Sequence, residues 1–105
     1  MRVGFTLNLH PDRIAEYEES HRAVWPEMLA LLKASGISRY SIFRRDTRLF
    51  LTFTCEDFEK SWAEIEKSPV NARWQAAMAP FFAPMDARKP GERFPMWREV
   101  FYLDG

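Results

Sequence analysis

The order in which the chain changes its hydrophobic period restricts its fold more than any other feature. Apolar and polar residues alternate from Val3 to His10, which is typical of a half-buried strand. A period of three to four residues then runs from Pro11 to about Ala34 and indicates helix. Later segments predict strands over Ile37–Arg44, Leu49–Cys55 and Met96–Leu103, and helices over Asp57–Lys67 and Asn71–Phe82. The predicted order is therefore β-α-β-β-α-β.

This order is that of the split βαβ, or ferredoxin-like, α+β fold, with helices on one face of the sheet. The other face then needs cover from a partner subunit or a ligand. Pro26 lies inside the first helical pattern and predicts a break at Trp25–Pro26, because proline lacks an N–H and clashes with the preceding turn. Gly36 is placed to end that helix. A length of 105 residues predicts one domain over 1–105.

Charge and cysteine content exclude several classes of function. Lys plus Arg and Asp plus Glu number 15 each, so no basic excess points to a nucleic-acid partner. The basic residues Arg44, Arg45 and Arg48 are interrupted by Asp46 and predict a charged hairpin tip. No signal peptide or membrane-spanning run is recognisable, and the single cysteine fits a reducing compartment, so we expect a cytoplasmic protein without a membrane partner.

A histidine interrupts the apolar stripe of the first helical pattern. Residues on that stripe follow each other at helical spacing: Ile14, Tyr17, His21, Trp25, Met28 and Leu32. Histidine is the side chain whose unperturbed pKa allows proton exchange near neutrality. Two interpretations stay open on this pattern. His21 is either a structural residue of the core or a proton-transfer group between Tyr17 and Trp25.

Other kinds of site have little support. His10 and His21 are far apart in sequence, no HExxH or CxxC spacing occurs, and no glycine-rich loop is present, so we expect no metal. Ser20 precedes His21, but adjacent helical residues point in different directions, which argues against a Ser20–His21 dyad. Acid–base catalysis at His21 therefore remains as the candidate chemistry.

Four further side chains have positions that bear on a site. Tyr40 faces opposite to Phe43 in its strand, where it either reaches a cleft or, as the pattern alone favours, belongs to the core or to an interface. Trp74, on its pattern alone, belongs to the core or to an interface. Trp62 has a core position in its helix. Asn8 faces away from the apolar residues of the first strand and is a candidate to hydrogen-bond a hydroxyl group.

The last predicted strand is strongly aromatic. Trp97 and Phe101 are expected to pack there. Leaving the segment from Trp97 to Leu103 exposed would be unfavourable. The segment therefore gives some support to a homodimer.

The motifs around these residues resemble those of the L-rhamnose mutarotase family over nearly the whole chain. The motifs that carry the resemblance are Tyr17-x3-His21-x3-Trp25-Pro26-Glu27, Leu32-Lys33-x2-Gly36, Tyr40-Ser41-Ile42, Ser68-Pro69-Val70, Arg73-Trp74-x3-Met78 and Glu99-Val100-Phe101-Tyr102-Leu103. The resemblance implies a dimeric α/β barrel of ferredoxin-like subunits and an isomerase without a cofactor. Its reaction would interconvert the α and β anomers of a 6-deoxyhexose.

The resemblance also implies roles for individual residues. His21 would be the proton donor, and Tyr17, Tyr40 and Trp74 would contact the sugar. Trp25 or Trp74 would stack on an apolar face of the sugar.

The chain departs from the rhamnose pattern in two places. Gln75 stands where a second tryptophan usually follows Trp74, and the late loop Ala87–Arg93 resembles that of L-fucose-handling relatives. L-rhamnose and L-fucose therefore both stay open as the substrate. Two other kinds of protein share the expected architecture. One is a dimeric ligand-binding or regulatory module without turnover, and the other is a cofactor-independent monooxygenase.

Overall fold

The strands and helices follow the predicted order. A computed structural model describes residues 1–86 and 88–105, so that one residue of the late loop, Ala87, lies outside the described residues. The strands are β1 (Arg2–Leu9), β2 (Ser38–Arg45), β3 (Arg48–Thr54), β4 (Phe82–Ala83) and β5 (Met96–Trp97). The helices are α1 (Ile14–Arg22), α2 (Pro26–Ala34), α3 (Phe58–Glu66) and α4 (Pro69–Met78), with 3-10 turns at Pro11–Arg13 and Ala79–Phe81. The predicted α+β, ferredoxin-like class is confirmed.

All strand pairs in the sheet are antiparallel, and β1 lies at its centre. The spatial order is β2-β3-β1, and both short strands, β4 and β5, pair with the remaining edge of β1. Asn8 is opposite Ala83 in β4, whereas Gly4 is opposite Trp97 in β5. The fourth position of the sheet is therefore divided between two short strands that are not contiguous in the chain.

The predicted final strand over Met96–Leu103 is wrong in extent, because only Met96 and Trp97 pair with β1. Beyond them the chain leaves the sheet, and the Arg2 guanidinium binds the Glu99 carboxylate and lies 3.0 Å from the centre of the Tyr102 ring. Trp97 packs edge to face against Phe50 as predicted, although it is 60% exposed, whereas the predicted packing of Phe101 is wrong, since that residue is 78% exposed. High β-propensity produces a strand only where a neighbouring backbone is free to pair.

The helices cover one face of the sheet and bury an apolar core there. Its centre is formed by alternate residues of β1 and β3, which point to the same face: Val3, Phe5, Leu9, Leu49, Leu51 and Phe53. Ile65 of α3 and Tyr17 of α1 close this core from the helical side. On the opposite face Phe43 is 62% exposed. None of the helices in the described residues is long and apolar enough to cross a bilayer.

The predicted break at Pro26 is present. α1 ends at Arg22, Trp25 is the N-cap of α2, and Pro26 occupies the first helical position, where a missing N–H costs little. The predicted helix over Asn71–Phe82 instead begins at Pro69, capped by the Ser68 hydroxyl, and ends at Met78. Phe82 belongs to β4 because a 3-10 turn redirects the chain to the sheet edge.

The end of the loop that precedes β5 is attached to the helical side of the sheet. The Phe94 ring stacks on Phe5 with centroids 4.3 Å apart and meets Trp62 edge to face at 5.4 Å. Arg93 forms ion pairs with Glu59 and Glu66 of α3. These contacts place Phe94 at the side of a cleft between the helices and the sheet.

Replacing Gly36 with alanine should destabilise the fold. Gly36 has a φ of 87° between α2 and β2, a conformation that costs a residue with a Cβ about 1–2 kcal/mol. We therefore expect Gly36→Ala to lower the free energy of unfolding by about that amount in urea denaturation. The matched control is Gly105→Ala, which also has a positive φ but lies at the chain end with no atom within 4 Å of the added Cβ. Equal free energies of unfolding for Gly36→Ala and wild type would contradict the strained backbone conformation described for Gly36.

Candidate functional site

A cleft lies between the helices and the sheet. It consists of two cavities of ≈ 270 Å³ and ≈ 230 Å³. Seven residues line both: His21, Tyr40, Ile42, Trp62, Asn71, Trp74 and Gln75. Because the cavities share these walls, they form one continuous space. Its size is near the lower end of the range of about 300–1,000 Å³ that is usual for small-molecule sites.

Three elements bring the predicted site residues together. α1 contributes Tyr17 and His21, whose spacing of four residues puts them on one helical face. β2 contributes Tyr40, on the face that packs against the core residue Phe53. α4 contributes Trp74, which is 7% exposed. The structure thus places four of the six predicted residues at the cleft.

The hydrogen bonds of His21 assign the proton of its neutral ring. Nδ1 lies 3.0 Å from the backbone oxygen of Tyr17, which only accepts hydrogen bonds. The neutral imidazole therefore carries its hydrogen on Nδ1 and donates it to that oxygen. Nε2 is left with its lone pair, and His21 lines the cleft. This nitrogen is consequently able to accept a proton from a bound molecule.

Burial sets the protonation state of the three titratable groups in the cleft. It lowers the pKa of His21, and the hydrogen bond to the Tyr17 backbone opposes that change only in part. The same effect raises the pKa of Tyr17 and of Tyr40. At neutral pH the cleft therefore presents a neutral imidazole and two neutral phenol groups.

Aromatic rings enclose His21. The centroids of the Tyr17 and His21 rings are 4.2 Å apart, and Trp74 meets His21 edge to face at 5.5 Å. Such packing restricts the orientation of the imidazole and removes water from one side of it. The cleft is then a largely apolar space with a few polar atoms at fixed positions, as small-molecule sites usually are.

The other two predicted residues lie outside the cleft. Asn8 is on the opposite face of the sheet, where its amide donates to the backbone oxygen of Pro84 at 3.1 Å and to Asp86 at 3.3 Å. Trp25 does not line either cavity and instead packs edge to face against Trp74, with centroids 5.0 Å apart. It therefore supports the ring that forms the wall.

Several cleft residues were not identified from the sequence. Asn71 is buried, accepts a hydrogen bond from Gln75 at 3.3 Å, and shares the cleft-facing side of α4 with Trp74 and Met78. The spacing of these residues along one helical face is the signal that was available. Trp62 packs on the core as predicted, with its ring stacked on Phe53, but it also lines the cleft.

Ser20 and His21 are in contact although adjacent helical residues point in different directions, and the expectation that they form no nucleophilic dyad is not contradicted by this contact. The Ser20 hydroxyl oxygen lies 3.0 Å from Nδ1 of His21. It also donates a hydrogen bond to the Tyr17 backbone oxygen at 2.6 Å. Bonding back to the preceding turn of the helix is common for serine, and it turns the hydroxyl toward the neighbouring side chain.

Metal binding has no support in the described residues. Within residues 1–86 and 88–105, no three His, Cys, Asp or Glu side chains are grouped closely enough to hold a metal ion. The polar groups that the cleft offers are instead imidazole, phenol and amide groups, with one carboxylate from Glu66 at its edge. They suit proton transfer and hydrogen bonding to a neutral polar molecule.

Comparison with known proteins identifies the family. The family model for L-rhamnose mutarotase matches residues 2–103. The chain belongs to the L-rhamnose mutarotase family. An L-rhamnose mutarotase of Oceanobacillus iheyensis is 40% identical over 105 residues, and one of Shouchella clausii is 34% identical, each alignment covering 98% of both chains. The resemblance seen in the sequence motifs is thereby confirmed, and the family is one of isomerases.

Solved structures agree with this assignment. The crystal structure of an L-rhamnose mutarotase from Formosa agariphila superposes with a TM-score of 0.77 at 26% identity, covering 99% of each chain. Tetracenomycin F2 cyclase from Streptomyces glaucescens superposes with a TM-score of 0.63 at 16% identity, covering 100% of this chain and 97% of the cyclase. The second likeness is one of fold alone.

The lowered pKa of His21 predicts a pH-dependent contribution to stability. As pH falls below the usual histidine value of 6.5, the unfolded chain binds a proton that the folded chain binds only at lower pH. The free energy of unfolding should therefore fall with pH in this range. His21→Gln removes the titrating group and should show a weaker fall in urea denaturation above and below pH 6.5.

The other histidine provides the control for this measurement. His10 is exposed and precedes the first 3-10 turn, so His10→Gln should keep the pH dependence of the wild type. If the free energy of unfolding falls equally for His21→Gln and wild type on acidification, the pKa of His21 is not lowered in the folded protein.

Proposed function

We propose that this protein interconverts the α and β anomers of L-rhamnose by opening and closing the sugar ring, with His21 as the proton-transfer group. The observation that carries this proposal is the hydrogen-bond contact of His21 at the cleft. Its Nδ1 is engaged with the Tyr17 backbone oxygen at 3.0 Å, which leaves a basic Nε2 for the aromatic cleft. Membership of the L-rhamnose mutarotase family supplies the substrate class.

The proposed reaction uses a single nitrogen atom, Nε2 of His21, and leaves the protonation state of His21 unchanged at its end. Nε2 of His21 accepts the proton of the anomeric hydroxyl, and the electron pair left on that oxygen forms the aldehyde as the bond from C1 to the ring oxygen breaks. The resulting imidazolium donates the same proton to the ring oxygen. Both oxygens are bonded to C1, so a single nitrogen reaches each of them in turn.

Ring closure on the other face of the aldehyde completes the exchange. Rotation about the C1–C2 bond turns the carbonyl, and the former ring oxygen then attacks C1. His21 takes back the proton and returns it to the new anomeric oxygen. The lowered pKa of His21 favours this cycle at neutral pH, because the imidazole begins in its basic form and regains it readily.

The remaining cleft residues suit recognition of the sugar. Tyr17 and Tyr40 carry neutral hydroxyl groups, since burial raises the pKa of both, and these donate or accept hydrogen bonds. Trp74 offers an apolar surface to the C6 methyl group and to one face of the ring. Trp25 would act only through its contact with Trp74. Asn8, on the other face of the sheet, has no part in this proposal.

Replacing His21 should abolish catalysis of anomer exchange. Positioned acid–base groups accelerate reactions by about 10²–10⁴-fold, so His21→Gln should lose at least the lower part of that range. Saturation-transfer NMR on the anomeric protons of L-rhamnose measures the exchange directly. L-fucose in the same experiment tests the likeness of the late loop to fucose-handling relatives, and the faster sugar identifies the preferred substrate.

The control for this experiment is the exposed histidine variant His10→Gln, which should exchange the anomers at the wild-type rate. Exchange at the spontaneous rate in wild type would remove the enzyme proposal for these sugars. If the sugar still saturates the protein under those conditions, the non-catalytic binding module is favoured instead.

We also propose that two copies of the chain associate through the sheet face opposite the helices. Phe43 and Trp97 are 62% and 60% exposed on that side, and Trp97 packs against Phe50 at 5.5 Å. The apolar tail adds Val100 and Phe101, which are 88% and 78% exposed. Large apolar side chains exposed on one sheet face are typical of an interaction surface. We propose separately that the protein is cytoplasmic, as expected from its sequence.

Sedimentation velocity tests the association. Wild type should sediment at twice the 12.4 kDa mass of one chain, whereas Phe43→Glu places a charge in the proposed interface and should favour the monomer. Ala76→Glu adds the same charge on the exposed side of α4 and should remain dimeric. A wild-type protein that sediments as a monomer at micromolar concentration would contradict the proposal.

A further inference from the structure

Ser20 belongs to the immediate surroundings of the proposed proton-transfer group. Its hydroxyl oxygen, Nδ1 of His21 and the Tyr17 backbone oxygen form a triangle with sides of 3.0, 3.0 and 2.6 Å. The Met78 sulfur lies 3.6 Å from the same hydroxyl, on the side of α4. The hydroxyl is therefore held between α1 and α4 and contacts Nδ1 of His21, the nitrogen that is bonded to the Tyr17 backbone oxygen.

The triangle allows one favourable arrangement of protons when His21 is neutral. The Tyr17 oxygen has only lone pairs, so the Ser20 O–H and the His21 Nδ1–H both donate toward it. A lone pair of the Ser20 oxygen then faces the Nδ1 hydrogen and accepts part of that bond. In the other tautomer, the Nδ1 lone pair would face the carbonyl oxygen at 3.0 Å, which is repulsive.

We infer that Ser20 is a positioning residue for His21. Its hydroxyl stabilises the tautomer with hydrogen on Nδ1 and holds the ring so that the Nε2 lone pair remains directed into the cleft. This inference rests on the proposed role of His21 in anomer exchange. It assigns a second residue of α1 to the reaction, one that acts without touching the sugar.

The same geometry excludes covalent chemistry at Ser20. A nucleophilic serine needs a base that accepts its proton. Here the Ser20 proton is donated to a backbone oxygen, and Nδ1 already carries its own hydrogen. Ser20 therefore orients the imidazole without a bond to the substrate being formed.

The test compares Ser20→Ala with Ser20→Thr, which retains a hydroxyl able to bond to the preceding turn. Long-range ¹H–¹⁵N correlation spectra of protein labelled in histidine report which ring nitrogen carries hydrogen. Wild type and Ser20→Thr should show His21 with hydrogen on Nδ1. Ser20→Ala should show a mixture of tautomers, because without the hydroxyl the ring is no longer held against the Tyr17 oxygen. The kcat of Ser20→Ala for anomer exchange should fall about two- to tenfold, the value of one hydrogen bond, with KM little changed.

Two controls separate positioning from folding. Alanine is a better helix former than serine, so Ser20→Ala is expected to fold, and urea denaturation verifies it. Ser61→Ala removes a helical serine of α3 that lines neither cavity of the cleft, and should change neither the His21 spectrum nor kcat. A loss of kcat in Ser20→Ala without a change in the His21 spectrum would indicate a general effect on the fold and overturn the inference.

The outcomes also distinguish this inference from the proposed function. A Ser20→Ala variant with the wild-type His21 spectrum and wild-type kcat overturns the inference, while the role of His21 stands if His21→Gln is inactive. If wild type does not accelerate exchange but Ser20→Ala still shifts the tautomer, the proposed reaction fails and the positioning of the ring by Ser20 stands.

Discussion

Packing of aromatic rings in the core determines where the cleft forms. Phe5 and Phe53 project from the central strands, and Trp62 of α3 and Phe94 pack on them with centroids 4.3–6.5 Å apart. Each such pair contributes about 0.5–1.5 kcal/mol beyond the area that it buries. These rings hold α3 and the end of the late loop against the sheet. The cleft remains where α1 and α4 approach the sheet beside this cluster.

The cleft in turn makes His21 suitable for proton transfer. Its contacts with the Tyr17 backbone oxygen and the Ser20 hydroxyl favour one tautomer, and burial lowers its pKa below the usual value. Neither the preferred tautomer nor the lowered pKa alone would make His21 an effective base. A buried histidine without a fixed tautomer would direct its basic nitrogen either way, and an exposed one would exchange protons with water. Their combination provides a neutral base at a defined position among apolar rings.

Local pattern predicted the elements well because most of them carry their own signals. The alternation in β1, the helical stripe containing Tyr17 and His21, and the break at Pro26 follow from side chain and backbone chemistry within a few residues. The final strand was overestimated because its extent depends on which backbone remains free to pair beside β1. The Ser20 contact was missed because it depends on a hydroxyl rotamer, which sequence spacing does not specify. Asn8 was assigned correctly to the face away from the core, but the cleft lies on the core side.

One edge of the sheet is divided between β4 and β5. The register of the sheet and the shape of the cleft therefore depend on different parts of the chain. Both strands meet β1 in the same antiparallel direction, so the chain leaves the edge after Ala83 and returns to it at Met96 without changing how β1 pairs with β3. Insertions or deletions in that segment would therefore leave the sheet register intact while moving Phe94 and the adjoining wall of the cleft. A change of loop length would thus alter the size of the cleft, while α1 holds His21 at the same depth.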